Sequence, residues 1–313
     1  MRTIDVGQLN MIGKGVTATV YLLDEKHIVK IFRDVIPMKE IQYEYDCAKL
    51  VERMGIQTPC AREIVNSDQG IGIIYDRVKG NTLSDEMQKD KSKLYEYGVQ
   101  YGHIVKSLHE RKLEESNLPS AKDTMKNVLK GCVDCLTDQE IKEIERLIDL
   151  VPFKNSLLHG DIAPVNIMVE DGQLYIIDVP MIMVGNPLFD LLQPYSFCVQ
   201  TRNLYEYYLD MPEDEKMGPV GKYLARFQGR YLNKEESQKV WDGFVKGYFG
   251  DIQGEKRKNL EFTLRVYYAL RQIGSAMMRS KFGDEVVDFC QNRGKNWIRE
   301  HKDQMDRLDY SLF

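Results

Sequence analysis

Short apolar runs, several with apolar and polar residues in alternation, characterise the first third of the chain and predict β-strands. Apolar residues at helical spacing predict one helix among them, from about Pro37, a favourable first-turn residue, to Met54, with Gly55 as its stop. The predicted strands are 7–13, 17–23, 27–32, 61–66 and 70–77.

Farther along the chain, apolar residues recur at every third or fourth position, which predicts helices. Two short apolar segments, 166–170 and 173–178, interrupt this helical part and meet at Asp171-Gly172, a sequence typical of a hairpin turn. From about residue 188 the spacing is helical again. The other predicted helices are approximately 82–90, 92–111, 121–136 and 138–150.

This order of elements predicts an α+β protein with a small sheet lobe over 1–78 and a large helical lobe over 79–313. The hinge between them is expected near residues 76–80. The length of 313 residues agrees with two lobes, because single hydrophobic cores stop growing at about 250–300 residues.

The sequence contains no apolar run of the roughly 20 residues that a bilayer span needs, and the residues after Met1 lack the apolar core of a signal peptide. We therefore expect a soluble, cytoplasmic protein without a membrane partner. Six scattered cysteines in a long chain predict free thiols. Cys132 and Cys135 form a C-x-x-C, but their helical neighbours favour packing over a zinc or redox site.

Charge is unevenly distributed in a protein whose net charge is −5. No Lys or Arg lies between Lys154 and Arg202, which indicates a metal or a positively charged ligand near the acidic residues of that window. Nucleic acid is an unlikely partner for such a region. The acidic residues of the window are Asp161, Glu170, Asp171, Asp178 and Asp190.

The stretch GKGVTATV, residues 13–20, lies between two predicted strands. Gly13 and Gly15 would let backbone N–H groups approach phosphate oxygens, because no side chain stands in the way. A plain glycine-rich hairpin is the alternative, and the motif alone favours it. A dinucleotide-binding fold is disfavoured, since its fingerprint opens a helix, whereas here the strand pattern resumes.

Lys30 shares one face of a predicted strand with Ile28 and Phe32, where a lysine needs a charge partner or an exposed rim. Glu44 lies on the apolar face of the predicted helix, and its helical neighbours include no cation. We expect Lys30 to be its distant partner. A surface lysine and a solvated edge glutamate are the alternatives.

The stretch HGDIAPVNIMVEDGQLYIIDVP, residues 159–180, places Asp161, Asn166 and Asp178 at intervals of five and twelve. Carboxylate and carboxamide oxygens are ligands for a Mg²⁺ that carries nucleotide phosphates. A separate carboxylate can then orient or deprotonate an attacking hydroxyl. Turn formation explains any one of these residues, but not readily all three.

The four motifs occur in the order found in protein kinases and their relatives. More closely, LLHGDIAPVNIMV, LYIIDV and VGNPLFDLL resemble the aminoglycoside phosphotransferase and choline kinase family, over roughly residues 7–195. The resemblance implies a protein-kinase-like bilobal fold. Its small antiparallel-sheet N-terminal lobe would bind nucleotide, and its large helical C-terminal lobe would hold the catalytic loop and the acceptor pocket.

The same resemblance implies roles for individual residues. Asp161 would orient the acceptor hydroxyl as the catalytic aspartate, and Asn166 and Asp178 would hold Mg²⁺. Lys30 would meet the α- and β-phosphates of ATP, with GTP left open, and Glu44 would position Lys30.

Segment 75–78 would be the hinge, with the backbone of Asp76 and Val78 facing the adenine. Asp190 would brace the catalytic loop from the next helix, and His159 would pack beneath the loop.

The chain also departs from protein kinases. Gly160 stands where many of them have an arginine that senses a phosphorylated activation loop, Val179-Pro180 stands where D-F-G would continue, and no A-P-E follows. Ala18 replaces the third glycine of their phosphate loop. Control by activation-loop phosphorylation is therefore not expected.

We expect an ATP- and Mg²⁺-dependent kinase that phosphorylates a hydroxyl of a small molecule, with a cationic acceptor such as an aminoglycoside or an amino alcohol favoured by the acidic window. A protein kinase and a non-catalytic nucleotide-binding regulatory module are the alternatives. Aromatic residues beyond Leu188 would furnish the acceptor pocket, although core packing explains them as well. They are Tyr195, Tyr205, Tyr207, Tyr208, Trp241, Tyr267 and Tyr268.

Overall fold

A six-stranded sheet forms the centre of the first of two compact units. The first unit comprises residues 1–86 and 165–182, and the second comprises residues 87–164 and 183–313. The structure is a computed structural model that describes residues 1–15, 17–113, 117–130, 136–225, 232–275 and 279–313.

The strands of this sheet are β1 (Thr3–Ile4), β2 (Asn10–Lys14), β3 (Ala18–Leu22), β4 (His27–Phe32), β5 (Ala61–Ser67) and β6 (Gly70–Asp76). They lie in the order β1-β5-β6-β4-β3-β2, and the β1–β5 pair is parallel whereas the other pairs are antiparallel. Helix α1 (Met38–Arg53) packs against β5 and β6. The five predicted strands and the predicted helix are confirmed; β1 was not predicted, because two residues carry no periodic signal.

A smaller sheet completes the first unit. Strands β9 (Ile167–Glu170) and β10 (Gln173–Ile176) form a hairpin, and the short strand β7 (Asn81–Thr82) pairs with β9. The turn residues Asp171 and Gly172 have φ angles of 50° and 79°, as a two-residue turn between twisted strands requires. The predicted hairpin is therefore confirmed.

The helices of the remaining chain are α2 (Leu83–Lys89), α3 (Leu94–His109), α4 (Ala121–Lys130), α5 (Asp138–Leu150), α6 (Leu188–Tyr195), α7 (Thr201–Asp210), α8 (Glu213–Lys216), α9 (Pro219–Ala225), α10 (Lys234–Phe249), α11 (Gly254–Ile273), α12 (Arg279–Phe282) and α13 (Asp284–Glu300). The predicted α+β class, with a sheet followed by helices, is confirmed.

Several features of the second unit were not predicted. A two-stranded sheet joins β8 (Ser156–Leu158) to β11 (Met183–Gly185). A π-helical segment, Ser196–Gln200, connects α6 to α7.

The cysteines and the helices also bear on two expectations from the sequence. The described cysteines Cys47, Cys60, Cys198 and Cys290 are free thiols, as expected. The Cys132–Cys135 motif lies outside the described residues. Among the described helices, none combines the length and the apolar character that a bilayer span requires.

Helices α3 and α10 approach each other so closely that their backbones are in contact. A Cβ atom added to Gly243 would lie 2.1 Å from the carbonyl oxygen of Tyr95, and one added to Gly98 would lie 2.3 Å from that of Val240. Gly247 is equally close to α3. Any larger residue at these positions would clash with the backbone of the facing helix, so the interface requires glycine.

Replacing Gly243 with Ala should lower the free energy of unfolding by about 2 kcal/mol, since overpacking a tight interior costs energy of that order. At an open helical site the same change would raise stability by about 1 kcal/mol. Urea unfolding gives the sign directly. Lys239→Ala, at an exposed position of the same helix, is the control, and a stabilised Gly243→Ala variant would contradict the close contact.

Candidate active site

Lys30 lies in the middle of β4, between Val20 of β3 and Ile73 of β6. Its ammonium group donates to a carboxylate oxygen of Glu44 at 2.7 Å and to one of Asp178 at 2.8 Å. The Lys30 side chain is 16% exposed, so these contacts form largely away from water. The predicted ion pair between Lys30 and Glu44 is confirmed.

Helix α1 presents Glu44 on its buried face, together with Ile41, Cys47 and Ala48. The hydroxyl of Tyr75, from β6, donates to the Glu44 carboxylate at 3.1 Å. Burial, with a smaller effect from the Glu44 charge, raises the pKa of Tyr75 well above its usual value. Tyr75 therefore remains a hydrogen-bond donor and holds Glu44 in place.

The charge of Lys30 is maintained by its two partners. Burial alone would lower the pKa of Lys30, because it disfavours the charged form. The carboxylates of Glu44 and Asp178 outweigh this effect, so the pKa is raised. An ammonium group has three N–H donors. Within the described chain two of them are bonded to these carboxylates, which leaves one for a further anion.

Asp178 follows β10 with a φ angle of 61°, in the left-handed region that residues other than glycine rarely adopt. Asp tolerates this region better than most residues, yet the conformation still costs energy. Outliers of this kind concentrate at functional sites. Because the Asp178 side chain is 47% exposed, its carboxylate can contact a ligand while it binds Lys30.

Asn166 ends a short turn, Pro164–Asn166, that leads into β9. Its backbone carbonyl accepts the N–H of Ile177 at 2.9 Å, which connects the start of the hairpin to the residue before Asp178. Oxygen donors from one carboxylate and one carboxamide suit Mg²⁺, which usually takes its other ligands from phosphates and water. No group of three or more His, Cys, Asp or Glu side chains in the described ranges is arranged to hold a metal.

Gly13 and Gly15 lie where β2 turns into β3. The N–H of Gly15 donates to the carbonyl of Ala18 at 2.8 Å, so that group is used within the turn. A Cβ atom would lie 3.6 Å from Val20 at Gly13 and 3.4 Å from the Ala18 carbonyl oxygen at Gly15. Both positions have room for alanine, so packing within the described residues does not require glycine at either. Val16 lies outside the described residues.

Asp76 is the last residue of β6, and Val78 lies two residues beyond it. The Asp76 carboxylate accepts two hydrogen bonds from Arg62, at 2.7 and 2.5 Å, and its N–H donates to the carbonyl of Cys60 at 3.0 Å. That N–H is thus not available to a nucleotide base. Val78 makes no hydrogen bond to any residue that the structure describes. The adenine contacts assigned to these two residues stay a prediction.

The loop before Asp161 belongs to the second unit and is organised around Asp190 of α6. The Asp190 carboxylate is 1% exposed and accepts the backbone N–H groups of His159 and Gly160, both at 2.8 Å. His159 is fully buried. The predicted bracing of this loop by Asp190, with His159 packed beneath it, is confirmed.

His109 of α3 completes the environment of Asp190 and was not predicted. Its Nε2 donates to the carboxylate at 2.9 Å, and its Nδ1 lies 2.7 Å from the hydroxyl of Tyr248. Burial raises the pKa of Asp190, but the His109 hydrogen bond and charge, with the other donors, outweigh it and lower the pKa below its usual value. A polar histidine on the apolar side of a predicted helix was the signal that the sequence offered.

Asp161 itself is held by residues of the same unit. Its backbone N–H donates to Nδ1 of His159 at 3.2 Å, and its carboxylate accepts a hydrogen bond from the side-chain amide of Gln193. The hydroxyl of Tyr101 donates to the carbonyl of the next residue, Ile162. Helices α3 and α6 therefore both fix the loop. Gln193 and Tyr101 were missed, because neither belongs to a recognisable motif.

Three carboxylates of the acidic window are bonded to other described groups of the protein. Asp178 binds Lys30, Asp190 accepts donors from the second unit, and Glu170 accepts the backbone N–H of Lys79 at 2.7 Å. Lys30, His109 and Lys79, which contact these three carboxylates, all lie outside the window.

Residues 9–220 match the model of a family described as the phosphotransferase enzyme family. A search among curated proteins found no match.

Solved structures of similar fold cover nearly the whole chain. The streptomycin–ATP–APH(2'')-IIa ternary complex is 18% identical, with a TM-score of 0.53 over 93% of this chain and 91% of that one. The GDP and kanamycin complex of APH(2'')-IIia is 13% identical, with a TM-score of 0.56 over 95% and 94%. A choline/ethanolamine kinase family protein from Mesorhizobium loti is 14% identical, with a TM-score of 0.55 over 96% and 92%. At such identities the likeness shows the fold, and the predicted kinase-like fold is confirmed.

Replacing Asp190 with Asn should lower the free energy of unfolding at pH 7 by about 3 kcal/mol, because it leaves buried donors without an acceptor. The pKa of Asp190 is lowered in the folded state, so its contribution is complete above the unfolded-state value of 3.8. It disappears as the pH falls below that value and the folded carboxyl is protonated.

The difference between wild type and Asp190→Asn should thus be constant from pH 7 to about 5 and shrink below about 4. Chemical unfolding at several pH values measures it. Asp171→Asn, in an exposed turn whose backbone suits either residue, serves as the control. A difference that stays the same at low pH would show that the Asp190 charge is not the cause.

Proposed function

The chain belongs to the phosphotransferase enzyme family, and from this membership we propose that it transfers the terminal phosphate of a nucleoside triphosphate to a hydroxyl of a small molecule. The observation that carries the proposal is the Lys30 ammonium, bound at once by Glu44 and Asp178 at 2.7 and 2.8 Å. A half-exposed carboxylate beside a charged lysine with one donor to spare is an arrangement that suits nucleotide phosphates.

In the proposed reaction, Lys30 binds the α- and β-phosphates. Its orientation is set by Glu44, which is held by α1 and by the Tyr75 hydroxyl. Because Lys30 stays protonated, it supplies a fixed positive charge to the phosphates without gaining or losing a proton.

Asn166 and Asp178 would hold Mg²⁺, which supplies charge neutralisation for the phosphates when bound. The left-handed backbone of Asp178 supports this assignment, since it costs energy that the fold alone does not explain. The glycines at 13 and 15 support phosphate binding in the same way, because the described packing does not require them.

Asp161 would orient the acceptor hydroxyl and accept its proton as the oxygen attacks the phosphate. The Gln193 amide fixes one side of this carboxylate. The hydrogen bonds that Asp190 accepts from the N–H groups of the preceding loop residues then set the direction in which Asp161 points.

The nucleotide and the acceptor are proposed only as classes. Similar folds are seen with ATP and with GDP, so ATP is proposed and GTP stays open. The small molecules named for those two structures are streptomycin and kanamycin. A third structure of similar fold is a choline/ethanolamine kinase family protein. These neighbours favour a small alcohol as the acceptor over a protein.

Replacing Asp161 with Asn should reduce kcat by about 10²–10⁴-fold, as expected when a positioned base is lost, while nucleotide affinity stays unchanged. The assay is the transfer of labelled terminal phosphate from ATP and from GTP to a panel of aminoglycosides, amino alcohols, sugars and hydroxy acids. Asp171→Asn is the matched control. Nucleotide binding with no transfer to any acceptor would favour a non-catalytic regulatory module and sink the proposal.

A second test separates the structural part of Lys30 from its functional part. Lys30→Met alone should lower the free energy of unfolding by about 3 kcal/mol, because it leaves the buried Glu44 carboxylate without a cation. Lys30→Met combined with Glu44→Gln should recover much of this loss, since Gln still accepts the Tyr75 hydroxyl. Both variants should bind nucleotide more weakly than the wild-type protein, because both lack the Lys30 ammonium.

Stability comes from urea unfolding, and nucleotide affinity from titration calorimetry. Lys39→Met, at an exposed position of α1, is the control. Recovery of nucleotide binding in the double variant would contradict the role given to Lys30.

A further inference from the structure

Two arginines of the second unit, Arg265 of α11 and Arg293 of α13, are partly buried without a counter-ion. Nη1 of Arg265 and Nε of Arg293 are buried and have no hydrogen-bond partner, and the third such atom in the described chain, Oε1 of Gln272, is also on α11. In the part of the chain that the structure describes, neither guanidinium has a carboxylate within ion-pair distance. Buried charges are normally paired.

The two guanidinium groups lie over aromatic rings. Arg265 is 4.5 Å from the ring centre of Trp297 and 5.7 Å from that of Tyr268. Arg293 is 5.2 Å from the ring centre of Tyr207. Such contacts are favourable for a cation, but a ring face cannot satisfy in-plane N–H donors. The donors at the edge of each guanidinium therefore still need an acceptor.

The positive charges of the two arginines also repel each other. Burial lowers the pKa of Arg265, and the nearby charge of Arg293 lowers it further, while the groups acting in the opposite direction are the hydroxyls of Tyr195 and Tyr268. An arginine nevertheless remains protonated in a protein. This region thus holds two like charges whose mutual repulsion is not relieved by the described residues.

The nearest acid along α11, Glu261, is used elsewhere. It accepts Nε of Arg257 at 2.6 Å and Nε1 of Trp241 at 2.8 Å. Arg257, which also lies over a tryptophan ring and is paired with Asp242 as well, shows how the same fold neutralises an arginine whose role is structural.

We propose that Arg265 and Arg293 bind a carboxylate or phosphate group of the acceptor, so that the substrate of this enzyme is an anionic hydroxyl compound. The guanidinium fork is suited to bidentate contact with either group. Helix α6 connects the two arginines to the reaction. Its Gln193 contacts Asp161, and the charge of Arg265 acts on its Tyr195, two residues later.

This inference rests on the proposed function and changes the acceptor expected from the sequence. Four aromatic residues that were candidates for holding a cationic acceptor already face a cation of the protein: Tyr268 faces Arg265, Tyr207 faces Arg293, Trp241 faces Arg257 and Tyr208 faces Lys216. An anion would neutralise Arg265 and Arg293, whereas a cationic acceptor would add to the repulsion between them.

Binding is tested first, without turnover. Inorganic phosphate and D-glycerate should bind the wild-type protein and raise its Tm above that in chloride of equal ionic strength, and glycerol, the neutral match of glycerate, should not. Arg265→Met and Arg293→Met should each weaken this binding at least tenfold. Arg257→Met is the matched control and should leave it unchanged. Absence of anion binding, or equal binding by Arg265→Met, overturns the proposal.

Stability without ligand supplies a second readout. If Arg265 is kept for an anion, Arg265→Met removes an unpaired charge and should melt no lower than wild type. If Arg265 has only a structural role on the Trp297 ring, the same variant should melt at a lower temperature, and this result counts against the proposal. Should Arg265→Met fail to fold, the same titrations with Arg293→Met decide, because phosphate could also bind Lys30 in the wild-type protein.

Transfer assays distinguish failure of this inference from failure of the proposed function. Turnover of an anionic acceptor, lost in Arg265→Met through a raised KM, supports both. Efficient transfer to a neutral or cationic acceptor that Arg265→Met does not alter overturns the anionic acceptor and leaves the kinase function intact. Anion binding that depends on Arg265, with no transfer to any acceptor, supports the site and overturns the kinase function.

Discussion

The burial of the Lys30 ammonium between two carboxylates is the constraint on which the first unit depends. An ammonium removed from water needs close anions, and the two that meet it come from different segments, one from α1 and one from the end of the β9–β10 hairpin. The same contact therefore links the sheet, its helix and the hairpin. It also makes the Lys30 charge part of the folded core, so its position is fixed by the fold itself.

The second unit also buries a charged group, but one of the opposite sign. Here the buried charge is a carboxylate, that of Asp190, and its partners are two backbone N–H groups and a histidine. Every residue type except proline supplies a backbone N–H, so these two contacts depend on the one side chain that accepts them. The remaining freedom of Asp161 is restricted by Gln193 and by the Tyr101 contact with the following residue.

Much of this arrangement follows from the sequence, because its signals are local or carry a strong physical requirement. The strands, helix α1 and the hairpin turn were predicted from periodicity and turn residues. The Lys30–Glu44 pair was predicted because an inward carboxylate needs a cation. His109 and Gln193 were not, since their partners lie tens of residues away and no periodic pattern identifies them. The two arginines were not, because their lack of a counter-ion depends on the tertiary fold. The pairing of β8 with β11 was missed for a similar reason, as three-residue strands give no pattern.

The backbone and the side chain of Asp178 favour different residue types at one position. A φ angle of 61° is adopted by glycine without the steric cost of roughly 1–2 kcal/mol that a Cβ atom imposes, and one base change converts an aspartate codon to a glycine codon. A glycine would remove that cost, but it would also remove one of the two carboxylates that hold the Lys30 ammonium. An aspartate that persists there in a lineage would therefore show that its carboxylate outweighs the cost of the backbone.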